Sequence, residues 1–149
     1  MSHDGEQRGS VISRFLTAYR RRPAWQRWLV VVVWMGLIFA VSAQPSLPEA
    51  PDPLFDTLLK KLAHMTEYAI LCLLLWSALP AETPWWAWAV AVLYAVSDEV
   101  HQTFVPGRNG WIVDVLIDSV GAGLAALTIW RLGVGRGAEQ GSQYRSSSG

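Results

Sequence analysis

The chain has 149 residues, 52% of them hydrophobic and 16% charged, with nine tryptophans and a formal net charge of zero. Soluble domains carry about 25% charged residues, so the apolar excess points to a bilayer. The neutral balance and a pI near 6.8 give no nucleic-acid footprint. The single cysteine, Cys72, excludes an internal disulfide and a multi-cysteine metal centre.

In chain order, Met1 to Arg22 is rich in Gly, Ser, Arg and Gln, has little apolar surface, and is expected to be a disordered basic tail. Residues 23–132 read as one domain containing four apolar runs near the length that crosses a bilayer as helix. The first, Trp28 to Ala43, contains no charge and is closed by Pro45, Pro48, Pro51 and Pro53. Its leading arginines, apolar core and Val41-Ser42-Ala43 also follow the order of a cleaved secretory signal, which is an alternative for this span alone. The second, Leu62 to Leu79, is interrupted only by His64, Thr66 and Glu67 in its first two turns. The third begins at Trp85 and reaches spanning length if the helix continues through SDEVHQTF to Phe104. The fourth, Trp111 to Trp130, carries Asp114 and Asp118 in its first half. Residues 133–149 read as a second disordered tail.

The expected fold is therefore an all-α bundle of four transmembrane helices. Arg8, Arg14, Arg20, Arg21, Arg22 and Arg27 precede the first span, and Arg131, Arg136 and Arg145 follow the last. Basic residues stay on the cytoplasmic side, so both termini are expected there, in a multi-pass protein of the bacterial cytoplasmic membrane. Most tryptophans then fall at the inner interface; Trp34 and Trp111 do not.

With the spans folded back and forth, the ionisable residues collect at the outer end. Lys60, Lys61, His64, Glu67 and Tyr68 enter with the second span, while Asp98, Glu99, His101 and Gln102 leave with the third. Arg108 sits in the outer turn, Asp114 and Asp118 begin the fourth span, and Ser42 and Gln44 end the first. Residues three or four apart share a helix face, which gives each helix one polar stripe: His64 with Glu67 and Tyr68, Asp98 with His101 and Gln102, Asp114 with Asp118. A charge near the bilayer centre costs about 2.5–3.5 kcal/mol on insertion scales, so these groups should face inward and be paired. Gly121 and Gly123, with Ala122, Ala125 and Ala126, let the fourth helix approach a neighbour closely.

The segments KKLAHMTEY (60–68) and SDEVHQTFVPGRNGWIVDVLIDSVGAG (97–123) resemble the VanZ-like family of small bacterial membrane proteins. The pattern K-x-x-H-x-x-E-Y falls on Lys61, His64, Glu67 and Tyr68. The second pattern falls on Ser97, Asp98, Glu99, His101, Gln102, Phe104, Pro106, Arg108, Asp114, Asp118 and Gly121. Asp118 stands where family members often carry Asn. The resemblance covers about Val30 to Arg131. It implies membrane location and a cell-envelope role; the family's namesake accompanies glycopeptide-antibiotic resistance and raises resistance to teicoplanin.

Three function classes follow from the polar cluster. In an enzyme acting on an envelope lipid or lipid-linked precursor, His64, Glu67, Asp98, Glu99 and His101 are the catalytic candidates. A histidine would be the general base, with an acid orienting it. Lys61, Tyr68, Gln102, Arg108, Asp114 and Asp118 would bind substrate, the Arg108 fork suiting phosphate or carboxylate. A divalent cation on these acids and imidazoles is a further option, although no HExxH pattern is present. A non-catalytic module binding an envelope lipid or antibiotic tail is the alternative. A transporter fits less well, because the inner halves ILCLLLWSAL and GAGLAALTIW are apolar. If the cluster is solvent-reachable, His101→Ala, Asp98→Asn and Arg108→Lys should fold normally and lose only function.

Overall fold

Aspartate and proline set helix starts that apolar runs alone do not mark. In a computed structural model, which describes residues 14, 16, 18–45, 51–80, 83–108 and 110–132, four long helices form a bundle. They are α1 (Ala24–Ser42), α2 (Pro53–Ala78), α3 (Pro84–Gln102) and α4 (Ile112–Arg131). Among the described residues there are no strands, and Arg14, Leu16 and Ala18–Arg20, at the end of the expected disordered tail, are helical. The remainder of both tails lies outside the described residues.

Three boundaries differ from the sequence expectation by two residues or more, the first being α1, which begins at Ala24 rather than Trp28. Helix α2 begins at Pro53 rather than Leu62, because Asp52 accepts a hydrogen bond from the Phe55 N–H at 2.9 Å and Pro53 occupies the first helical position. The prolines that close α1 thus also open α2. With 26 residues, α2 is about 39 Å long, against about 30 Å for a bilayer's hydrocarbon core. Helix α3 stops at Gln102 rather than Phe104, where the chain turns through Pro106 and Gly107, whose φ of 82° is left-handed and suits glycine.

Among the described residues, only α1 and α4 are long and apolar enough to pass as membrane spans by length and composition. By this measure two of the four expected spans are matched. Charges at one end of α2 (Asp56, Lys60, Lys61, Glu67) and of α3 (Asp98, Glu99) dilute their apolar character.

Helix α4 packs against α2 and α3, α2 also packs on α3, and α1 lies at the edge against α2. Small residues allow close approach: Ala87, Ala91 and Ala95 form one buried row on α3, and Ala122, Ala125 and Ala126 are buried on α4. A Cβ at Gly121 would run into the Met65 backbone, 2.8 Å from its Cα, so α2 and α4 touch backbone to backbone there. Gly123 instead faces the Trp88 ring. Three aromatic donors tie helices together through backbone carbonyls. Trp34 Nε1 donates to Glu67 O at 3.0 Å, Tyr94 Oη to Met35 O at 2.7 Å and Trp88 Nε1 to Ser119 O at 3.1 Å.

The outside of the bundle is apolar. Val32, Val33 and Leu37 on α1, Leu58 and Leu62 on α2, Leu93 and Val96 on α3, and Leu116, Val120 and Leu124 on α4 are all exposed. Meanwhile Ser42, Asp98, Glu99, Gln102 and Asp118 are buried. This inverts the arrangement of a water-soluble domain and marks a surface that needs an apolar surrounding.

Candidate functional site

At the end where α1 and α3 finish and α2 and α4 begin, the helices enclose a cavity of about 460 Å³. One wall comes from successive turns of α2, whose three-to-four spacing turns Asp56, Thr57, Lys60, Lys61, His64 and Glu67 to the same side. Asp114, Ile117 and Asp118 of α4 form the facing wall, Val41 and Pro45 close it from α1, and Gln102 and Arg108 complete it from the α3–α4 connection.

The deepest carboxylate is Asp118, 1% exposed, whose Oδ1 lies 3.6 Å from His64 Nδ1. No other partner reaches its oxygens among the described residues. Because Nδ1 turns toward Asp118, Nε2 is the imidazole nitrogen left to the cavity, and a buried carboxylate behind a histidine fixes tautomer and ring orientation. Nearer the mouth, Lys61 Nζ meets Asp114 Oδ1 at 2.9 Å and Lys60 Nζ meets Asp56 Oδ2 at 2.6 Å. The Lys61–Asp114 pair is more than a third exposed on both sides, and such pairs are worth about 0–1 kcal/mol. Lys61 can therefore leave Asp114 for an anionic ligand at little cost.

A second polar group lies behind the cavity wall. Ser42 Oγ donates to Asp98 Oδ2 at 2.8 Å, and Gln102 Nε2 donates to the same oxygen at 3.1 Å and to Glu99 Oε1 at 3.2 Å. The Trp111 N–H donates to Glu99 Oε2 at 2.9 Å, which pins the start of α4 to the end of α3. Arg108 Nη1 donates to Gln102 Oε1 at 3.1 Å.

Of the eleven residues singled out in the sequence, Lys61, His64, Glu67, Gln102, Arg108, Asp114 and Asp118 line the cavity. Four do not. Asp98 and Glu99 are buried one hydrogen bond behind Gln102, and Tyr68 is fully buried with its hydroxyl unpartnered. His101 turns toward α1 and stacks on Phe39, ring centroids 4.1 Å apart. Asp98, Glu99 and Tyr68 are thus buried rather than solvent-reachable, and half-buried His101 does not line the cavity. Helical spacing correctly put Asp98 and His101 near one helix end, but burial separated them from the cavity.

Asp56 and Thr57 were missed as lining residues, because the second span was expected to begin only at Leu62. The Asp52-Pro53 pair was the available signal: it places a helix start one turn before Asp56. Among the described residues, no group of three or more His, Cys, Asp or Glu side chains is arranged to hold a metal ion, so the divalent-cation option finds no ready ligand set.

No curated protein and no solved structure matches the chain. Residues 26–133, which take in α1 from its third residue, the other three helices and every residue of the cavity, match the family model described as VanZ/LLP1, and the chain belongs to that family.

Proposed function

We propose that this protein is an integral membrane protein whose four helices all span the bilayer, with both termini cytoplasmic. The cavity then opens at the outer face of the bacterial cytoplasmic membrane, where it acts on an envelope lipid or lipid-linked precursor. The observation that carries this reading is a charged cavity inside a bundle whose outer surface is apolar. Water cannot be the solvent for that surface, and lipid does not wet Asp118, His64 or Glu67 unless they face inward. The arginines at both ends of the chain supply the orientation.

In this reading His64 Nε2 takes a proton from, or gives one to, the reacting group, and Asp118 on Nδ1 keeps the ring in the productive tautomer. Lys61 and Arg108 hold the anionic part of the ligand, while Val41 and Ile117 offer it an apolar side. Tolerance of glycopeptide or lipoglycopeptide antibiotics would follow from such an action on envelope precursors. Among the described residues, the opposite half of the bundle buries side chains that are apolar apart from Ser77 and the Arg27 side chain bonded to the Ser77 carbonyl, and this disfavours transport across the membrane.

The test is turnover by the purified full chain in nanodiscs, offered phosphorylated and lipid-linked envelope precursors. Product formation that disappears in His64→Gln, with the variant still folded, is expected. Saturable precursor binding without turnover would replace the enzyme by a binding module. The absence of both would overturn the reading.

A further inference from the structure

We propose that Gln102 is a positioning residue: its amide, clamped by the buried carboxylates of Asp98 and Glu99, aims Arg108 into the cavity as a subsite for a phosphate group. This rests on the cavity being a ligand site.

An amide side chain has two ends of opposite hydrogen-bond sense, and which end points where is normally open. Here its neighbours decide. Both carboxylates only accept, so the end at 3.1 Å from Asp98 Oδ2 and 3.2 Å from Glu99 Oε1 must be the NH₂ group, with both of its N–H bonds engaged. The oxygen is thereby turned to Arg108 and accepts Nη1 at 3.1 Å. Each carboxylate has a second anchor: the Ser42 hydroxyl of α1 donates to the same Oδ2 of Asp98, and the Trp111 N–H that begins α4 donates to the other oxygen of Glu99. Asp98, Glu99 and Gln102 are 2%, 6% and 6% exposed. The clamp is almost wholly buried, and Gln102 is its member that reaches the cavity wall, beside Arg108.

Arg108 is also a cavity cation without an ion-pair partner among the described residues. Lys60 and Lys61 each have a carboxylate within 2.9 Å, whereas no carboxylate of the described residues lies within salt-bridge distance of Arg108. A guanidinium has five N–H donors in a planar fork, and the bond to a neutral amide uses one of them. Two oxygens of a phosphate fit the remaining edge, and Lys61, lining the same cavity, supplies the second positive charge that phosphate takes better than a carboxylate does. Asp98 and Glu99 consequently serve the ligand at two removes, without touching it.

The experiment is a double-mutant cycle on the full chain in phosphatidylcholine nanodiscs, comparing the parent, Arg108→Lys, Gln102→Met and the double variant. One arm titrates inorganic phosphate calorimetrically. The other replaces part of the phosphatidylcholine with phosphatidic acid and counts the lipid retained by native mass spectrometry. Binding in the first arm identifies a free phosphate ligand, and binding only in the second a lipid headgroup.

Gln102→Met is expected to weaken binding about tenfold when Arg108 is present, and by no more than about twofold in the Arg108→Lys background. A purely structural clamp would lower melting temperature and binding equally in both backgrounds, and that result overturns the proposal. So does unchanged binding in Gln102→Met. If Gln102→Met does not accumulate, Gln102→Asn keeps the amide but withdraws it by one methylene, and the same background dependence is required of it. Parental binding that is insensitive to Arg108→Lys, or no binding in either arm, removes the anion subsite and the anion-binding part of the functional reading with it. Loss in Arg108→Lys without any Gln102 dependence sinks this inference alone.

Discussion

The two ends of the α2–α4 interface are built on opposite principles. Toward the C-terminal end of α2, Leu71, Leu75 and Trp76 pack fully buried against Ala122, Ala126 and Ile129, with the alanine row of α3 beside them. Cations appear only at the extremity, where Arg20 sits over the Trp76 ring at 4.4 Å and Arg27 Nη1 donates to the Ser77 carbonyl. At the other end of the same helix pair, His64 and Lys61 face Asp118 and Asp114, and buried polar atoms of His64, Tyr68, Asp98, His101 and Asp118 are left without partners, against Trp76 Nε1 and Arg27 Nε at the apolar end. Buried unpartnered groups cost stability, and proteins retain them where function requires them. One half of the bundle thus holds the helices together while the other half keeps a polar cavity open.

The largest effects should therefore come from the apolar half. Trp76→Ala removes a large side chain that is 1% exposed and is expected to cost about 3 kcal/mol or more, read as a fall in melting temperature with ligand binding preserved in the folded fraction. Gly121→Ala, at the junction of the two halves, drives a methyl into the Met65 backbone and should cost about 2–3 kcal/mol. If it melts like the parent, the close α2–α4 approach is wrong and the two ends are less distinct than described.

Asp98→Ala comes next. It leaves the Ser42 hydroxyl and one Gln102 N–H without their acceptor, for an expected loss of about 1–3 kcal/mol. A parent-like melting temperature would return Asp98 to the solvent-reachable class in which its sequence position first placed it. The smallest stability change belongs to the cavity wall. Lys61→Gln breaks an exposed pair and should move stability by less than about 1 kcal/mol while weakening retention of an anionic lipid. A large melting shift in Lys61→Gln would mean that the cavity wall, too, is structural.

Much of this was legible in the chain. Apolar runs located the bundle helices, and three-to-four spacing put His64, Glu67, Asp114 and Asp118 at one end, because helical periodicity is a local property that any reader of the sequence can project. Gly121, Ala122, Ala125 and Ala126 were likewise recognisable as a face for close packing, and they are buried as expected. The start of α2 was legible too, in Asp52-Pro53, but the prolines read as terminators hid it.

What the sequence determined by itself is which residues share a helix face and which end of the bundle they reach, since both follow from 3.6 residues per turn and the direction of each span. Only the tertiary structure decided which of them meet open space. Asp98 and His101 sit one turn apart with similar sequence surroundings, yet α1 covers both, offering Ser42 to one and the Phe39 ring to the other. His64 keeps a nitrogen toward the cavity because α4 places Asp118 on its Nδ1 side. Burial is set by the helix that arrives from elsewhere in the chain, and no local pattern encodes that arrival.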